Sequence, residues 1–131
     1  MTRTAAYALI VLGLFHLAAM APDACDHLGV WLRGGLWTTA HLQPVATQAQ
    51  ALAASNAAFW QSLGGPALPL IVLGALLLHL ERRGVPIPAF VGAALAAWAA
   101  LAALVMQPSG FPLLVAIALM LLAGSRRARR G

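Results

Sequence analysis

Four apolar runs, each closed by charge, glycine or proline, constrain this chain more than any other feature of its sequence. The helices expected from them cover about 5–21, 57–80, 88–106 and 111–124, with the stretch 22–53 left as a connecting lid. The first run, of about 17 residues, would rise roughly 25 Å as a helix, which is enough to cross the hydrocarbon core of a bilayer. The rest of the chain cannot offset so much apolar length with a wettable surface. Hydrophobic residues make up 62% of the 131 positions and charged ones 8%, where a soluble domain carries about 25% charged residues. With a mean hydropathy of +0.86, the chain is also too apolar to stay disordered. The expected fold is all-α: a single-domain bundle of four transmembrane helices under an extracytoplasmic lid.

Each run carries its own punctuation. The first follows Arg3 and ends at Ala19-Met20-Ala21-Pro22. The small-x-small spacing has the form of a signal-peptidase site, but a proline directly after the cut argues for a retained span. Gly64-Gly65-Pro66 interrupts the second run, so a kink is expected near Pro66. The third opens on Pro88, suited to a first helical turn. It carries Gly92, Ala96, Ala99, Ala100 and Ala103 at helical spacing, a small-residue face that lets membrane helices approach closely and suggests self-association into a homo-oligomer. The fourth follows Gln107-Pro108-Ser109-Gly110 and stops at Gly124 before an arginine cluster.

The net charge of +5 comes from eight basic residues against three acidic ones. On a soluble domain that balance would suggest nucleic acid. Here Arg3, Arg82, Arg83, Arg126, Arg127, Arg129 and Arg130 all flank apolar runs, and only Arg33 lies in the polar stretch. They read as topology signals that meet anionic lipid rather than nucleic acid. Both termini and the 81–86 turn are therefore expected on the cytoplasmic side of the membrane, and 22–53 outside. Trp31, Trp37 and Trp60 fit the outer interface, where indole rings prefer to sit. Within the lid, Cys25, Leu28 and Leu32 oppose Asp23, Asp26, His27 and Arg33, the pattern of a short amphipathic helix; an irregular loop is the alternative.

Gly13-x-x-His16 in the first run, Ala58-Phe59-Trp60 and Gly64 in the second, Pro88-x-x-x-Gly92 and Pro108-Ser109-Gly110-Phe111 together resemble a family of small bacterial four-helix membrane proteins of unknown function. The resemblance covers most of the chain and departs from the family at Pro112, where members carry tryptophan. It implies a place in the bacterial inner membrane, the four-helix fold and significance for His16. It implies no reaction.

Several chemistries lack their residues. The single Cys25 excludes a thiol pair, and the first run holds none of the acidic residues on which small multidrug transporters depend. No phosphate-binding loop follows a strand, and no serine sits in a nucleophile elbow. Asp23, Asp26, His27, His41 and His16 lack the spacing of a metal site, and His16 and His79 fall at different depths for haem. No metal and no cofactor are expected.

The polar residues that remain converge on one level. His16 lies about 7 Å inside the hydrocarbon by helical rise, where an imidazole turns toward a partner or a cavity. It is either a neutral imidazole hydrogen-bonded to a neighbouring segment or a ligand-binding or catalytic group. His41, Trp37, Asn56, Phe59, Trp60 and Gln61 belong to the lid or the outer end of the second helix. A cavity there, apolar but with a few polar groups, suits a lipophilic molecule with one polar end, and those six are the expected ligand-binding residues. An intramembrane isomerase, cyclase or epoxide-opening enzyme with His16, Asp23 and Asp26 as acid and partners is the alternative. An accessory subunit of a larger membrane complex, with no site of its own, is the third.

Overall fold

The computed structural model describes residues 1–128; Arg129 and Arg130 of the expected arginine cluster lie outside the described residues. Within them the chain is all-helical, with five α-helices and no strand: α1 (Thr2–Leu32), α2 (Gln50–Gln61), α3 (Ala67–Arg82), α4 (Ala89–Val105) and α5 (Phe111–Ala128). Two short 3-10 turns, Thr39–Leu42 and Val45–Thr47, break the connection between α1 and α2.

The helix boundaries differ from the sequence expectation in four places. Helix α2 starts at Gln50, not 57, inside the stretch expected as lid, and α5 runs through Gly124 to Ala128. The first helix does not stop before Pro22; it continues through it to Leu32. A proline inside a helix removes one hydrogen bond and costs about 3 kcal/mol. Ala18, whose carbonyl loses its donor, is exposed, and the turns beyond Pro22 carry Trp31 to a hydrogen bond on α2. The amphipathic segment 23–32 is thus helical as the end of α1, not as a separate element. The second run is not kinked but divided: α2 ends at Gln61, and α3 starts after Gly64-Gly65-Pro66.

Glycine ends two of the helices by the same device. After α1, Gly34 has φ 75°, Gly35 N–H donates to the Val30 carbonyl at 2.9 Å and Gly34 N–H to that of Trp31 at 2.9 Å. After α3, Gly84 has φ 67°, and the N–H groups of Val85 and Gly84 donate to Leu80 and Glu81, both at 3.0 Å. Both are Schellman closures, which need a left-handed residue to satisfy the last carbonyls.

The chain divides into two compact units, one of residues 1–12 with those from Leu70 on, the other Gly13–Pro69. In the first, Leu9, Leu77 and Leu121 are the largest fully buried side chains, packed with Ala5, Ala6, Ala99 and Ile117. Small residues set the spacing. A Cβ on Gly92 would come within 2.6 Å of the Leu122 backbone, and one on Gly74 within 2.7 Å of the Ala6 carbonyl. Backbones this close gain dispersion contacts that larger residues would prevent. Of the small face expected on the third run, Gly92 and Ala99 are buried in this way and Ala96, Ala100 and Ala103 are half-buried. The α4–α5 connection is closed by Trp98 edge-on to Phe111, with centroids 5.5 Å apart.

One end of this unit gathers arginines. Arg3 and Arg82 line a small hollow with Leu78 and Glu81. Arg127 Nη1 donates to the Met1 sulfur at 3.1 Å, and Gly124 lies against Thr2. The start of α1 therefore sits beside the ends of α3 and α5.

Apolar side chains also face outward in number. Only 22% of the most apolar 18-residue stretch of α1 is buried, and α1 is long and apolar enough to cross a membrane. Helix α4 is shorter and apolar, yet Leu104 is 84% and Val105 80% exposed.

Candidate functional site

The second unit holds a cavity of about 320 Å³. Its walls come from three places in the chain: Trp31 near the end of α1, Leu36, Trp37 and His41 in the connection, and Asn56, Phe59 and Trp60 on α2. Asn56, Phe59 and Trp60 follow the i, i+3, i+4 spacing that puts side chains on one helical face. Aromatic rings dominate the lining.

Those rings are fixed to one another. Trp31 meets Phe59 edge to face, with centroids 5.7 Å apart and planes at 85°. Phe59 meets Trp60 likewise, at 5.4 Å and 82°. Trp31 is further held by its indole Nε1–H, which donates to Ser55 Oγ at 3.0 Å, and by His27, stacked on it at 6.3 Å. Aromatic pairs in such geometries contribute about 0.5–1.5 kcal/mol each beyond their buried area. Ser55 is buried, so this bond also satisfies a hydroxyl that would otherwise be costly to bury.

The connection between α1 and α2 is organised around the His41 carbonyl. It accepts from Gln48 Nε2 at 3.1 Å and from Asn56 Nδ2 at 3.3 Å, and Gln48 Nε2 donates also to the Gln43 carbonyl at 2.7 Å. Two buried polar atoms here have no hydrogen-bond partner, His41 Nδ1 and Gln48 Oε1.

Five of the six residues expected to bind a ligand, Trp37, His41, Asn56, Phe59 and Trp60, line this one cavity. The sixth, Gln61, is outside the lining, and its backbone carbonyl accepts from His16 Nε2 at 2.8 Å. A carbonyl can only accept, so Nε2 carries the proton. Gln61 is the last residue of α2, where carbonyls lack a partner within the helix, and the imidazole supplies one. His16 is half-buried, while Asp23 and Asp26 are exposed, and none of the three lines the cavity. Among the described residues no group of three or more His, Cys, Asp or Glu comes together as a metal site would require.

Two lining residues escaped the sequence reading. Trp31 looked like an interfacial anchor, and only its position four residues after His27, which permits helical stacking, hinted at a fixed orientation. Leu36 carried no signal, since its place depends on the turn that Gly34 and Gly35 allow.

No curated protein and no solved structure matches the chain. A family model matches it over residues 1–128, nearly its whole length. The chain belongs to the family of unknown function DUF6463.

Proposed function

We propose that this protein is a small integral membrane protein that binds a lipophilic small molecule in the cavity formed by Trp31, Trp37, Phe59 and Trp60. The cavity itself carries the reading. It has about 320 Å³ of space, within the usual range for ligand sites, and the expected layout of apolar walls with few polar groups. None of its lining residues is an acid, a lysine or an arginine, so a charged, strongly hydrated molecule would leave water without compensation.

The proposed setting is the bacterial inner membrane, with α1, α3, α4 and α5 as four spans and both termini cytoplasmic. Three observations support it: the exposed apolar faces of α1 and α4, the gathering of Arg3, Arg82 and Arg127 at one end of their unit, and the spacing of charge along α1. Arg3 and Asp23 are 20 residues apart, roughly 30 Å of helix, the thickness of the hydrocarbon core. Self-association, also proposed, uses faces other than the one containing Gly92 and Ala99, which are buried within the chain.

His16 takes a positioning part in this reading. Its proton is engaged by the Gln61 carbonyl next to Trp60, so it holds the end of the helix that carries much of the cavity wall. Mass spectrometry of gently extracted protein tests the function directly. A lipophile that co-purifies with the wild type and is lost in Trp31→Ala and Trp60→Ala supports it, and protein that carries no molecule and takes up none from a lipid extract rejects it.

A further inference from the structure

We infer that the polar end of the molecule held in this cavity is a quaternary or fully methylated ammonium; the inference rests on the ligand-binding reading above and narrows it to a chemical class. The first ground is the hydrogen-bonding inventory of the walls. Trp31 has one N–H, and Ser55 takes it. The Asn56 amide donates to the His41 carbonyl. His41 Nδ1 is buried with no partner. The side chains of Trp37 and Trp60 are 92% and 60% exposed. Beside the aromatic carbon, the polar groups of the walls are the Asn56 amide oxygen and the His41 ring.

A hydroxyl, amide or carboxylate held against such walls would give up hydrogen bonds to water and find few partners to replace them. A carboxylate or phosphate would in addition face the negative side of the rings. A tetraalkylammonium differs from these groups because it has no N–H and asks for no acceptor. Its charge is diffuse, and aromatic faces attract it directly.

Ring geometry is the second ground. Phe59 stands at 85° to Trp31 and at 82° to Trp60, so each tryptophan meets the phenylalanine at a corner. A compact, roughly spherical head fits such a corner. Charge agrees with shape: Asp23 and Asp26 against Arg33 leave the Gly13–Pro69 unit with two acidic and one basic side chain, although the whole chain is strongly basic.

The test compares hexyltrimethylammonium with its uncharged carbon isostere, in which a quaternary carbon replaces the nitrogen, by tryptophan fluorescence and calorimetry on the full chain in nanodiscs. The ammonium is expected to bind about tenfold or more tightly than the isostere, and Trp60→Leu to remove most of that difference while Trp60→Phe keeps it. Trp60 is exposed enough that neither change threatens folding. Equal affinity for the two compounds overturns the ammonium assignment and leaves the lipophile site standing. Failure of both to bind removes the site as well. Nanodisc composition separates two sources of the same head: if it belongs to a lipid, phosphatidylcholine competes with hexyltrimethylammonium and phosphatidylglycerol does not, and if it belongs to a soluble molecule, neither lipid competes.

Discussion

His16 and Gln61, 45 residues apart in sequence, are joined by an imidazole N–H donating to a backbone carbonyl at 2.8 Å. The bond ties the middle of α1 to the last residue of α2 and gives the histidine singled out in the sequence a partner at a helix end. A carbonyl at a helix end has no intrahelical donor, and a hydrogen bond made to it contributes about 0.5–1.5 kcal/mol.

His16→Ala is therefore expected to lower stability by roughly 0.5–1.5 kcal/mol, and His16→Gln, which retains an N–H donor, to recover part of the loss. Ligand affinity should fall only modestly in both. Thermal unfolding in detergent with and without ligand measures the two effects separately. A complete loss of binding in a stably folded His16→Ala protein would show direct contact with the ligand.

The Trp31 to Ser55 bond predicts a coupling. Trp31→Phe and Ser55→Ala each leave one partner unmatched, and the double variant should be less destabilised than the sum, by about 0.5–1.5 kcal/mol. A double-mutant cycle on unfolding free energies reads this number. Strict additivity would mean that the bond contributes nothing to stability.

Gly92 and Gly110 predict opposite outcomes from similar changes. A Cβ at Gly92 would meet the Leu122 backbone at 2.6 Å, whereas at Gly110 it would meet nothing within 4 Å. Gly92→Val should force α4 from α5 and cost about 1–3 kcal/mol or more, in the manner of overpacking, and Gly110→Ala should stay within about 0.5 kcal/mol of wild type. Comparing their unfolding temperatures in one detergent decides the matter.

Cys25, the one cysteine of the chain and exposed, reports the proposed orientation. It lies two residues beyond Asp23, at the far end of the proposed first span from Arg3. A membrane-impermeant maleimide should label it in intact spheroplasts, and the protein should stay in the pellet after alkaline carbonate extraction. Labelling only after lysis would reverse the orientation. Release by carbonate would remove the membrane setting.

The sequence by itself determined that the chain is helical and where its last two helices begin, because these depend on neighbours a few positions away. Pro88 and Phe111 stand at or beside the starts of α4 and α5, whereas the closures at Gly34 and Gly84 follow from the backbone path. Local rules failed at Pro22, where a helix that proline should end continues to Leu32 and brings Trp31 to a partner 24 residues away. Only the tertiary structure decided which polar groups meet. His16 turned to a helix end and not to a carboxylate, and Trp31 joined Phe59 and Trp60 in one set of walls, because each outcome depends on how the connection after Leu32 folds back on α2, and no pattern within a single helix encodes that path.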